Sequence, residues 1–267
     1  MKRLLLSDGR SLAWREAGEG PPLVLLHGWA MSSAVFTEAL EHLSNRFRVL
    51  APDLRGHGAS EGGPGYGFGD FAADLREWLE ALELQDAVMG GWSLGGQVLL
   101  ELYPAVRRRV SRLMLISATP RFASGGDWSK GLPEGQIRVM ARDLERNYRK
   151  TMGDFFALQF ASEEIDSARY RRIVDFAVRQ GTLPEPETAL AALEALRRGD
   201  QRDCLNGIDC PTLVLHGDQD LVVPPAAGRY LAEHLPRAEL ALHSGVGHAP
   251  FLSRPREIFE QWRSFCS

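Results

Sequence analysis

The chain has 267 residues, 44% of them apolar and 25% charged, with a formal net charge of −4. This is globular composition, long enough for one large domain with an insertion or for two small domains. The negative balance argues against a nucleic-acid partner, and no apolar run approaches the roughly 18 residues of a membrane span.

Residues 4–6, the Asp8-Gly9 turn and residues 12–14 pattern as an opening β-hairpin. The apolar run of three leucines at the start is too short for a signal peptide. Leu23-Val24-Leu25-Leu26 is a continuous apolar run, as expected of a strand covered on both faces. Similar runs follow at 49–51, 87–89, 113–116 and 212–215, with a weaker one at 238–242. Helical patterns at 71–82, 94–103, 226–235 and 255–265 separate most of them. Strands alternating with helices predict an α/β fold: a mostly parallel sheet with helices on both faces. Between Pro120 and Asp209 the alternation stops. Four amphipathic stretches (136–148, 151–161, 167–179 and 188–197) take its place, punctuated by Gly and Pro. The expected organisation is a core of residues 1–119 and 210–267 with a four-helix lid at 120–209. The Gly-rich stretch 62–69 lacks the Gly-Lys-Ser/Thr ending of a phosphate loop.

The chemistry concentrates at Gly91-Trp92-Ser93-Leu94-Gly95, between an apolar run and a helical pattern. A strand, a sharp turn with serine at its apex and a helix form the context of a nucleophile elbow. A serine hydroxyl is a weak nucleophile at neutral pH. It needs a base to take its proton and a third group to hold the base. Among seven histidines, His248 follows the last expected strand, in a loop able to fold over the strand ends. It is the preferred base. His42 and His234 lie in helical patterns, His243 ends a strand, His216 sits beside the acid loop, and His57 shapes a turn. Asp218 and Asp220 both lie in the loop after strand 212–215. Asp220 is preferred because Leu221-Val222-Val223 would anchor it, leaving Asp218 as a turn former. The order Ser93, Asp220, His248 is that of an α/β-hydrolase triad. The oxyanion donors expected are the N–H groups of Leu94 and of Trp29, which follows His27-Gly28. Phe122, Phe155, Phe156, Leu158 and Phe160 are candidate liners of an acyl slot. No metal-ligand spacing occurs, and no cofactor is expected. Cys204, Cys210 and Cys266 fit a reducing cytoplasm.

At these residues the chain resembles the α/β-hydrolase superfamily over nearly its whole length. The agreement includes His27-Gly28, residues 53–60 (Asp-Leu-Arg-Gly-His-Gly-Ala-Ser), the elbow, the acid loop and the histidine loop. More narrowly it resembles the BioH family of pimeloyl-acyl-carrier-protein methyl ester esterases. That likeness rests on Leu26-His27-Gly28-Trp29, Gly91 to Gly96, residues 117–122 followed by Trp128, Phe155-Phe156-Ala157-Leu158-Gln159, and Gly247 to Phe251. The resemblance implies cleavage of the methyl ester of a pimeloyl chain held on acyl carrier protein, a step toward biotin. It also implies that Trp29 contacts substrate, that Phe155, Phe156, Ala157, Leu158 and Gln159 line the acyl channel, and that basic lid residues face the acidic carrier. The lid offers Arg138, Arg142, Arg146, Arg149, Lys150, Arg169, Arg171, Arg172 and Arg179. Asp154 departs from this pattern, being acidic where a basic residue is expected. The protein is expected to act as a monomer. Two alternatives stand beside this reading: a broad short-chain carboxylesterase without a carrier, and a non-catalytic small-molecule receptor on a hydrolase fold.

Overall fold

The computed structural model describes residues 1–267. In chain order its strands are β1 (Lys2–Leu5), β2 (Ser11–Ala17), β3 (Pro22–Leu26), β4 (Arg48–Pro52), β5 (Ala87–Trp92), β6 (Val110–Ile116), the short β7 (Ala123–Ser124) and β8 (Leu132–Pro133), β9 (Thr212–Gly217) and β10 (Ala238–His243). Eight of them form one sheet in the order β1-β2-β4-β3-β5-β6-β9-β10. The pairs from β4 to β10 are parallel, and the hairpin β1–β2 joins antiparallel through β2 to β4. Every residue of β5 and β9 is buried, which is why these strands read as unbroken apolar runs.

The helices are α1 (Thr37–Leu43), α2 (Phe68–Ala81), α3 (Leu94–Val106), α4 (Glu134–Leu158), α5 (Ser167–Ile173), α6 (Pro186–Arg198), α7 (Pro225–His234), α8 (Pro250–Ser253) and α9 (Pro255–Cys266). Side chains alternate across a strand, so the sheet feeds two apolar layers. Val24, Leu26, Met89, Leu113, Leu115 and Val214 pack with Trp78 of α2, Leu99 of α3 and Leu231 of α7. Leu23, Leu25, Val88, Met114, Ile116 and Leu215 pack with Leu43 of α1 and Trp262 of α9. No helix is long and apolar enough to cross a membrane.

Residues between β6 and β9 carry α4, α5 with a following π-helical turn (Val174–Arg179), and α6. The separate stretches expected at 136–148 and 151–161 are one helix, bent at Asn147 (φ −150°, ψ 68°). The bend matches the break in the apolar pattern, but no Gly or Pro lies there to end the helix. The insertion is pinned to the core at Glu38 of α1, which is only 4% exposed. The Arg169 guanidinium donates to both of its oxygens (2.7 and 2.5 Å), and Arg172 adds a third contact at 2.8 Å. Burial alone would push the Glu38 carboxyl up, but these cations hold it below the usual range.

The sheet changes winding direction around β3, whose neighbours are β4 on one side and β5 on the other. The carboxyl ends of β3 and β5 therefore open a crevice where open α/β sheets place their sites. His27-Gly28-Trp29 leaves β3 there, and Ser93 leaves β5.

Candidate active site

Ser93 sits between β5 and α3 with φ 55° and ψ −113°, a backbone region that costs a non-glycine residue about 1–3 kcal/mol. The surroundings enforce it. Ser93 N–H donates to Ile116 O on the neighbouring strand (2.9 Å), and its carbonyl accepts from Gly96 N–H (2.9 Å). The flanking glycines are required by close approach: a Cβ on Gly91 would lie 2.4 Å from Gly95 O, and one on Gly95 2.5 Å from Leu26 O. Only bare backbone lets α3 start so close to β3.

His248 is 1% exposed and held from three directions. Its ring Nδ1–H donates to Asp220 Oδ2 at 2.8 Å. Its carbonyl accepts the Trp92 indole N–H at 2.8 Å, and its N–H donates to Gln159 O at the end of α4 (2.9 Å). Trp92 thus serves as a strut under the histidine loop, packed between the His248 and Phe251 rings. The imidazole makes no hydrogen bond to the Ser93 hydroxyl; such bonds are often long in a resting site and tighten with substrate.

Asp220 is 4% exposed, and its Oδ1 accepts the N–H groups of Val222 and Val223, both at 2.8 Å. His216 Nε2 lies 3.2 Å from Oδ2 and also donates to Val223 O (3.0 Å). Burial opposes the charge, yet the facing His248 and the bonds from both imidazoles hold the Asp220 carboxyl far below the usual range. Asp218 instead clamps the next loop, accepting from Gly245 N–H (2.7 Å) and Ser244 Oγ–H (3.0 Å). His57 and His27 are buried turn formers. The His57 ring meets Arg55 O, and burial pushes its pKa down to about 3. The His27 Nε2 accepts Leu54 N–H (2.9 Å).

Leu94 N–H, at the first position of α3, has no intrahelical acceptor. Trp29 N–H makes no backbone hydrogen bond in its turn. Gly28 brings that turn against the elbow: a Cβ there would lie 3.4 Å from Ser93 Cβ. The Trp29 indole reaches into the insertion, donating to Ala189 O (2.9 Å) and meeting the Phe155 ring edge-on at 4.8 Å.

Two apolar clefts flank α4. One, of about 350 Å³, is lined by Phe122, Leu132, Met140, Phe155, Leu158 and Val222 among others. The other, of about 280 Å³, includes Ala30, Met31, Met152, Phe156, Tyr170 and Ala177. The five-residue segment 155–159 therefore does not line one channel. Helical geometry puts Phe155 and Leu158 on one flank and Phe156 on the other, while Ala157 is exposed and lines neither cleft. Gln159 is 1% exposed, and neither atom of its amide has a partner. Phe160 packs against Phe156 and Tyr170 instead of facing a cleft. Val139, Leu158, Leu183 and Leu221 are exposed large apolar residues, and all four line one cleft or the other.

Sequence reasoning missed Glu163, whose two carboxylate oxygens are buried without a partner beside Gly247. Its neighbours in sequence suggested an ordinary solvated acid, and nothing local marks it. Of the basic lid residues, Arg138, Lys150, Arg169, Arg172 and Arg179 are engaged in ion pairs. Asp154 is the partner of Lys150, one helical turn away. Arg142, Arg146, Arg149 and Arg171 are exposed and make no ion pair. No group of three or more His, Cys, Asp or Glu side chains could hold a metal ion.

A family model described as the alpha/beta hydrolase fold matches residues 21–255. The chain belongs to the α/β-hydrolase family. Among curated members, this hydrolase is 38% identical over 246 residues to the pimeloyl-[acyl-carrier protein] methyl ester esterase of Nitrosomonas europaea, covering 90% of this chain and 94% of the relative. The enzyme of the same name from Vibrio cholerae is 33% identical over 261 residues, 96% of this chain and 98% of its own. Among solved structures, an esterase from Exiguobacterium antarcticum superposes with a TM-score of 0.92 at 25% identity, over 99% of this chain and 98% of that one.

Proposed function

We propose that this α/β-hydrolase is a serine carboxylesterase that hydrolyses the methyl ester of a pimeloyl chain carried on acyl carrier protein. The observation that carries the reading is the buried Asp220–His248 hydrogen bond in a loop braced by Trp92, the residue before the strained Ser93, in a chain similar over nine-tenths of its length to esterases of that name. Ser93 is the nucleophile, His248 the base and Asp220 the group that fixes the imidazole tautomer. His248 takes the Ser93 proton as the oxygen attacks the ester carbonyl, and the oxyanion meets the N–H groups of Trp29 and Leu94. Methanol leaves with the proton from His248. Water then adds to the acyl-enzyme by the same route and restores the serine. Residues 120–209 act as a lid that lends apolar walls, with Phe122, Phe155 and Leu158 on one flank of α4 and Phe156 on the other offering two candidate sites for an acyl chain. The unpaired Arg142, Arg146, Arg149 and Arg171 are the lid cations available to an acidic carrier. The protein is read as a cytoplasmic monomer, in keeping with its three free thiols.

The deciding experiment is complementation of a biotin-requiring strain that lacks its own pimeloyl-carrier methyl esterase, paired with turnover of the purified carrier-bound ester. Growth and turnover, both lost in Ser93→Ala, are expected. A soluble protein that cleaves free short esters but fails on the carrier-bound one would leave a general carboxylesterase. Asp220→Asn should lower kcat by about 10⁴-fold by presenting the wrong tautomer. Asp218→Asn should cost far less, and the reverse order in a kinetic comparison would reassign the acid.

A further inference from the structure

The two clefts beside α4 differ in charge. The Phe155 flank carries Asp143 and Asp154 among its lining residues. The opposite flank carries no acid, and Arg149 is its one charged lining residue. Arg149 is exposed and unpaired, although Lys150 beside it is tied to Asp154. Apart from Arg149 the lining is mostly apolar, with Met152, Phe156, Val174 and Val178 among the walls and Ser32 and Thr182 the hydroxyl-bearing exceptions beside Tyr170. It also includes Ala30 and Met31, the two residues that follow Trp29 in the chain. An apolar cleft with one cation, next in sequence to an oxyanion donor, has the chemistry to hold an alkyl chain with an anion at its far end.

We propose that this cleft takes the acyl chain of a free half-ester of a medium-length dicarboxylic acid, and that Arg149 is the specificity-determining residue that holds the free carboxylate. The inference rests on the serine-esterase reading and extends it to a substrate that needs no carrier. The ester C–O bond to methanol breaks as Ser93 forms the acyl-enzyme, and methanol departs with the proton from His248. Water then cleaves the acyl–serine bond, giving the dicarboxylic acid and the serine hydroxyl. The far carboxylate does not react. A planar guanidinium matches it with two parallel N–H bonds. Each methylene buried along the wall adds roughly fourfold to binding, until the chain outgrows the distance to Arg149. Contacts so far from the reacting carbonyl are made equally in ground and transition states, so they lower KM and leave kcat alone.

The test measures methanol release from two series on the full-length protein: monomethyl esters of five- to nine-carbon alkanedioic acids, and methyl esters of monocarboxylic acids of equal length. The wild type should prefer the half-ester by about five- to tenfold in kcat/KM at one chain length, through KM. In Arg149→Gln this ratio should fall to about one, and Arg149→Lys should restore most of it. Val178→Phe, which shortens the cleft, should move the optimum to a shorter diacid. A ratio unchanged in Arg149→Gln, or a wild-type preference for the neutral series, overturns the proposal. So does turnover of the carrier-bound ester with neither free series cleaved, which leaves the esterase reading intact. Failure to cleave any ester, carrier-bound included, overturns that reading itself.

Discussion

At Ser93, the proposed nucleophile, the backbone is held in a conformation unfavourable to a non-glycine residue. The residue is left-handed because β5, β6 and α3 leave it no other conformation, and glycine tolerates that region better than any other residue. Ser93→Gly should therefore stabilise the protein by about 1 kcal/mol while abolishing turnover. A urea midpoint that did not rise would show that the turn stores no strain. This residue and His248 are legible in the sequence because an elbow and a loop after a terminal strand leave local marks. The preference for Asp220 over Asp218 drew on the apolar residues that follow. The actual cause is finer: the N–H groups of Val222 and Val223 both turn toward Oδ1 and fix the carboxylate. Glu163 was illegible, since its burial depends on contacts made across the fold.

At the scale of elements, the histidine loop is hydrogen-bonded to Trp92 of the elbow strand and to Gln159 at the end of α4, and the unpaired Glu163 carboxylate lies near Gly247. Burial pushes the Glu163 carboxyl up, aided by the Asp220 charge and opposed by that of Arg254. A carboxyl with a raised folded pKa favours folding most when protonated, and that contribution fades as pH climbs through the folded value. Glu163→Gln should thus raise Tm at pH 7, with the gain shrinking toward pH 4. Equal Tm shifts at both pH values would show that the carboxyl is not penalised. The strands were legible because buried parallel strands are apolar throughout. The helices of the insertion were harder. Their amphipathic pattern is clear, but a kink at Asn147 and a break between two helices leave the same trace in the pattern.

For the whole molecule, the insertion and the core are joined by a buried ionic contact between α5 and α1. Arg169→Ala should destabilise the protein by about 3 kcal/mol, because the Glu38 carboxylate would stay buried with Arg172 as its remaining partner. Glu38→Gln/Arg169→Met should lose much less, as no charge is stranded. Denaturation midpoints of the two variants decide this, and equal losses would mean that packing, not charge, dominates there. The pairing was invisible in the sequence, where 131 positions separate the two residues.

The indole of Trp29 reaches from the turn after β3 to Ala189 of α6, while its own amide is the second of the two N–H groups proposed to meet the oxyanion. Any swing of the roof away from the sheet must first release that ring. On the proposed mechanism, moving α6 and loosening the turn that carries an oxyanion donor would be one event.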